Sequence, residues 1–128
     1  MKLKLIGYWK GGFDTANDIW PDPKDFVSEI SFEEKQTLLS YLESAIRMPY
    51  AAAGVSECRF CGKAVGNGEY TDGKFLWPEG LAHYIQEHSV QLPEEFLAQA
   101  LSGIKINPYL DLKSENIEID TEWWKSKK

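Results

Sequence analysis

The chain has 128 residues, 43% hydrophobic and 27% charged, so it is long enough for one hydrophobic core and too short for several. Its formal net charge of −6 and the absence of a basic stripe argue against a protein whose main role is binding nucleic acid. The sequence has neither a signal-peptide core nor an apolar run of the roughly 18 residues that cross a bilayer, so we expect a cytoplasmic protein without membrane association.

The first two predicted elements are a strand and a short helix. Alternation around Leu3 and Leu5 predicts a strand that the glycines at 11–12 end. Asp22 directly before Pro23 is typical of a helix start, because the carboxylate caps the first turn and proline suits its first position. This helix should end by about residue 30.

The clearest helix signal follows. Ser31 and Glu34 form a capping box, in which each side chain satisfies a free backbone N–H of the first turn. Apolar residues recur behind it at helical spacing: Leu38, Leu39, Leu42, Ala45 and Ile46. We expect the helix to end before Met48. The small residues at 51–54 predict a connection or a short strand.

The second half predicts a hairpin and two helices. Asp72-Gly73 is a two-residue turn signal within the strand-favouring segment 69–77. Spacing of apolar residues predicts a helix over 78–87 and another over 93–102, which Gly103 should stop.

The last 25 residues give weaker signals. Alternating isoleucines predict two strands, near 104–106 and near 117–119. Trp123 and Trp124 are expected in an extended segment, one covering the core and the other exposed to a partner, with packing favoured for the pair. The lysines at 125–128 predict a frayed, solubilising tail.

Four residues are candidate metal ligands. Cys58, Cys61, His83 and His88 form a Cys-x2-Cys-x21-His-x4-His pattern that uses every cysteine and histidine in the chain. Two thiolates and two neutral imidazoles satisfy tetrahedral Zn²⁺ without an open position. Gly62 supplies the unusual backbone angle that such a turn needs. We therefore predict a structural zinc site.

The spacing of the histidines sets a geometric condition. Five positions in a regular helix turn the chain by about 140° beyond a full revolution, so His83 and His88 cannot both face one ion from an ideal helix. The sequence therefore predicts that the last helical turn tightens or frays around Glu87.

Three other interpretations stay open at this point. A lone Cys-x-x-Cys also occurs in redox pairs, although the glycines nearby indicate a loop rather than a helix start. The cysteines could be buried without metal, or the metal could be catalytic, with Glu79 or Glu87 as a base.

The segment from the cysteines to the helix at residue 93 also resembles a family of small, mostly uncharacterised bacterial proteins. The resemblance rests on Cys-Arg-Phe-Cys-Gly at 58–62, Thr-Asp-Gly at 71–73, Trp-Pro-Glu-Gly-Leu-Ala-His-Tyr at 77–84, His88, and Leu-Pro-Glu-Glu-Phe at 92–96. It covers about 40 of the 128 residues. It implies a zinc-finger-like core in a compact α+β protein and brings no known reaction.

The fold prediction is therefore an α+β single domain over residues 1–128, with a treble-clef or extended ββα zinc-finger-like segment at 55–90 and added helices and strands. The favoured function is non-enzymatic binding of a protein partner, which we expect to be basic because the chain is acidic. A bacterial immunity protein that neutralises a toxin is the narrower form of this prediction. The alternatives are a nucleic-acid-binding zinc module and a zinc-dependent hydrolase. The sequence does not indicate an oligomeric state.

Overall fold

One mixed sheet of five strands organises the protein. The computed structural model describes residues 1–12 and 15–128. Its strands are β1 (Lys2–Leu5), β2 (Ile46–Glu57), β3 (Ala64–Thr71), β4 (Phe75–Pro78) and β5 (Glu118–Asp120), in the spatial order β2-β3-β4-β1-β5. Antiparallel pairing joins β2, β3 and β4, whereas β1 runs parallel to both β4 and β5. Its helices are α1 (Phe32–Glu43), α2 (Leu81–His88), α3 (Glu94–Ala100) and α4 (Glu122–Lys125), and the predicted α+β single-domain class is confirmed.

Alternation along the strands gives the sheet two packed faces. Phe75 and Trp77 in β4 belong to the larger cluster, where both rings meet Phe96 of α3 edge-on. Leu76, between them in sequence, lies with Leu3 in a smaller cluster. This is the result expected from side chains that point alternately to opposite sides of a strand.

The predicted hairpin is confirmed and joins β3 to β4, although three residues, 72–74, separate the strands rather than the predicted two. One carboxylate oxygen of Asp72 accepts the backbone N–H groups of Lys74 (2.9 Å) and Phe75 (2.7 Å). Gly73 has φ = 93°, a value that an L side chain rarely tolerates. The turn thus fixes the register of β4 against β3, and α2 follows β4 in the chain.

The capping box is confirmed in its main hydrogen bond, since Ser31 Oγ accepts the N–H of Glu34 at 3.1 Å. The helix ends at Glu43, before the predicted Ala45 and Ile46. Ile46 instead begins β2, where it pairs with Thr71 of β3. Strand pairing therefore determines the conformation of Ile46 in spite of its helical spacing.

Three predictions are wrong, namely the length of the first strand, the helix after Asp22 and the strand near 104–106, whereas strands are present at 51–54 and near 117–119 as predicted. The first strand ends at Leu5, and the turn after Asp22 is only a 3-10 helix, Pro23–Phe26, because Val27 is extended and bridges to Val90. Residues 51–54 lie inside the 12-residue β2. Residues 104–106 form no strand, and β5 is limited to three residues.

The tryptophan pair was placed wrongly in an extended segment. Both residues lie in α4, where Trp124 is fully buried and Trp123 is partly buried against the same core. Trp124 donates its indole N–H to the Tyr8 carbonyl at 2.6 Å and meets Trp9 edge-on at 5.2 Å. A helix, rather than an extended tail, therefore closes the core.

Among the described residues, no helix combines the length and the apolar character needed to traverse a lipid bilayer.

Candidate metal centre

The two cysteines lie in a tight turn at the end of β2. Cys58 donates its N–H to the Lys63 carbonyl at 2.8 Å, and Gly62 donates its N–H back to the Cys58 carbonyl at 2.9 Å. Gly62 has φ = 75°, as the sequence predicted. The N–H of Phe60 points at Cys58 Sγ, 3.4 Å away. These contacts fold the chain so that both sulfurs face the same point.

The two histidines come from opposite ends of α2. His83 lies in the first turn, where its N–H bonds to the Gly80 carbonyl, and His88 is the last helical residue. Pro78, predicted as the helix start, is instead the last residue of β4, and the helix begins at Leu81.

The helix loosens where the spacing required it, although by widening rather than by tightening. Ser89 adopts the left-handed conformation with φ = 51°, and its N–H bonds to the Tyr84 carbonyl five residues earlier. The N–H of Val90 reaches the same carbonyl at 3.2 Å. A five-residue step is that of a π-type turn, which brings residues five apart more nearly onto one face than a regular helix does. His88 can therefore share a face with His83.

The structure brings all four predicted ligands together. Each of Cys58, Cys61, His83 and His88 offers one ligand atom, and these atoms all lie within 4.8 Å of one another. Cys61 Sγ and His83 Nε2 are 3.4 Å apart. Ligand atoms around tetrahedral zinc are separated by about 3.3 to 3.8 Å, since a tetrahedron's edge is about 1.6 times the bond length. The cluster could therefore hold a metal ion after small inward movements.

One buried atom supports this fit independently of the spacing. Among the described residues, His88 Nε2 is buried and has no hydrogen-bond partner. Leaving such a group unsatisfied costs about 1–3 kcal/mol, which a metal bond would relieve. Burial also lowers the pKa of His88, with a smaller contribution from His83, and so favours the neutral imidazole that binds metals.

Two aromatic residues that the sequence did not predict as part of the centre hold it in place. Phe60 stacks on the ring of His88, with centroids 4.5 Å apart and planes 16° from parallel. Tyr84 is buried, and its hydroxyl accepts the N–H of Arg59 at 2.8 Å. Burial is the main cause that raises the pKa of Tyr84 to about 12. In the sequence, Phe60 precedes Cys61 and Tyr84 follows His83, and this adjacency to the predicted ligands could have indicated their role.

The carboxylates considered as catalytic bases do not join the cluster. Glu79 accepts the N–H of Gly68 at 3.1 Å and lies 3.7 Å from Arg47, so β2 and β3 hold it. Glu87 is exposed on α2. In the described part of the chain, the set that could hold a metal contains cysteine and histidine alone. The arrangement can therefore bind a metal with four protein ligands.

Comparison with known proteins gives no relative from which a role could be carried over. No protein-family model, no curated protein and no solved structure matches the chain. The resemblance to small bacterial proteins stays a prediction, and the cluster of two cysteines and two histidines is the feature that indicates a function.

Proposed function

We propose that the protein binds one structural Zn²⁺ through Cys58, Cys61, His83 and His88 and that it acts without enzymatic activity, by binding another protein. The observation that carries the proposal is the convergence of two sulfurs and two imidazole nitrogens within 4.8 Å. This donor set suits zinc better than magnesium or calcium, which prefer oxygen ligands.

Four protein ligands also favour a structural over a catalytic role. A catalytic zinc usually keeps one position for water, whereas two sulfurs and two nitrogens complete a tetrahedron. The thiolates add two negative charges and the ion two positive ones, so the formal charge of the chain stays at −6. The ion would fix the turn at residues 58–62 to α2, which Phe60 and the N–H of Arg59 already contact through Tyr84.

The protein-binding part of the proposal rests on charge. An acidic surface attracts a basic partner and speeds their association, and this effect weakens as salt screens the charges. The narrower prediction of a toxin-neutralising immunity protein, and the cytoplasmic location, stay predictions, since no described contact bears on either.

Metal analysis tests the first part. The chain purified without chelator should contain about one zinc ion, and Cys61→Ser should lose it with little effect on packing, because Cys61 is exposed. Glu79→Gln is the matched control, since Glu79 lies outside the cluster, and it should retain zinc. Zinc-free wild-type protein, or full zinc content in Cys61→Ser, would contradict the proposal.

Affinity capture tests the second part. The zinc-loaded chain should retain a basic protein from its source cell at low salt and release it as the salt concentration rises. Failure to retain any protein at any ionic strength would count against a protein-binding role. Zinc content and partner capture are measured independently, so a negative result in one experiment contradicts only that part of the proposal.

A further inference from the structure

A second feature lies away from the metal cluster, beside β1, which is an inner strand of the sheet. It is an open cavity of about 460 Å³ between β1, the start of β4 and α3. Its rim carries Lys2, Lys4 and Lys74, and its apolar lining includes Phe75, Ala98 and Ile104. The volume falls within the range of about 300–1,000 Å³ that small-molecule sites occupy.

The fold explains why the three lysines gather here. Lys2 and Lys4 are two apart in β1, so they point to the same side of the sheet. Parallel pairing sets Lys4 opposite Phe75, and the N–H of Lys4 bonds to the Lys74 carbonyl at 2.9 Å. Lysines distant in the sequence therefore meet over one apolar surface.

Within the described residues, these positive charges form no close ion pair, although parallel pairing with β5 sets Lys2 opposite Glu118 and Lys4 opposite Asp120. Lys74 donates to the neutral amide of Gln99 at 3.2 Å, and Lys4 lies 5.3 Å from the centre of the Trp123 ring. The one carboxylate that lines the cavity, Glu95, already lies 3.5 Å from the ammonium of Lys127, a residue predicted to lie in a frayed tail.

We propose that this cavity binds a small organic anion, whose carboxylate or phosphate group meets the lysines while an apolar body lies against Phe75, Ala98 and Ile104. The ammonium groups of the three lysines can each reach a ligand oxygen without breaking a close ion pair among the described residues, and lysine binds either oxyanion as a point charge. Ile104 is 55% exposed, so an apolar ligand body would remove its side chain from water. This inference does not depend on the metal site.

Binding of four simple probes tests the proposal on the full chain. Hexanoate and hexyl phosphate should bind, and the tighter of the two identifies the preferred oxyanion. Hexanol lacks the charge and acetate lacks the apolar body, so both should bind more weakly. Amide NMR shifts should change at Ala98 and Ile104. Hexanol binding as tightly as the hexyl anions would show that charge is not recognised, and acetate binding as tightly would show that the apolar body is not. Either result would overturn the proposal.

Variants with equal changes in charge provide the control. Lys2→Gln with Lys74→Gln should weaken binding by about 2- to 30-fold, because each exposed charge contributes about 0.2–1 kcal/mol. Lys10→Gln with Lys24→Gln removes the same charge at exposed residues outside the cavity and should leave the affinity unchanged. An equal loss in both variants would show unspecific attraction. Binding of a single-stranded oligonucleotide at these lysines without binding of either hexyl anion would also overturn the proposal.

Discussion

Removing the metal should lower the melting temperature of the protein by an amount that the free metal concentration sets. An ion that binds the folded chain alone adds RT ln(1 + [M]/Kd) to the free energy of unfolding, or about 2.7 kcal/mol when the free ion exceeds its Kd a hundredfold. Among the described residues, the buried Nε2 of His88 has no hydrogen-bond partner, so a metal bond to this atom would stabilise the folded state.

Chain length converts this free energy into a temperature. With about 2.1 cal/mol/K of unfolding entropy per residue, the 128-residue chain has about 0.27 kcal/mol/K in total. The metal should therefore raise the melting temperature by about 10 °C at a hundredfold excess, and by about 15 °C at a thousandfold excess, where the stabilisation reaches about 4.1 kcal/mol. Tighter binding would give larger shifts.

Thermal melts followed by circular dichroism, with and without a chelator, measure the shift. Cys61→Ser in buffer should melt where wild-type protein melts in chelator, and chelator should not lower its melting temperature further. Acid should act like the chelator, because protons compete with the metal for the thiolates and imidazoles. An unchanged wild-type melting temperature in chelator would refute the reasoning about this centre.

Three further predictions concern the fold. Trp124→Ala should lower the free energy of unfolding by about 3–5 kcal/mol in urea titrations, because Trp124 is fully buried, while Trp123→Ala should cost less; equal costs would contradict the assignment of Trp124 to the core. Gly80→Ala should lower the free energy of unfolding by about 1–3 kcal/mol, since the new methyl group would lie 2.6 Å from Val65 Cγ2. An unchanged free energy of unfolding would contradict this close packing of α2 against β3. Burial, then the hydrogen bond to a buried carboxylate, raises the pKa of Tyr41 above 10, so the folded state keeps its proton while the unfolded chain loses it. Stability should therefore fall as the pH rises above 10, less steeply in Tyr41→Phe, as urea titrations at several pH values would show.

Short-range chemistry made much of the fold predictable. Ser31, the turn at 72–73 and Gly62 each act on backbone groups within a few residues, so their effects can be deduced without knowing the rest of the structure. The four candidate ligands were predictable for a related reason. Metal coordination limits the residue types and spacings so strongly that the pattern itself indicates convergence.

Long-range pairing accounts for the errors. Ile46 has helical spacing with Leu42 and yet joins β2, because pairing with Thr71 becomes available only when the hairpin is present. Val27 lies outside the short helix because it forms a β-bridge with Val90, 63 positions away. The lysine cavity was not predicted either, since Lys4 and Lys74 meet through strand pairing that local periodicity does not reveal.

The position of β1 between β4 and β5 has a consequence for how the chain reaches its native state. Met1 bonds to the Asn116 carbonyl, and Trp124 bonds to Tyr8 across 116 positions. These closures must wait until most of the chain is available, and such distant pairings slow folding. During synthesis on the ribosome, β1 could pair with β4 first, whereas its other side would stay unpaired until β5 emerges.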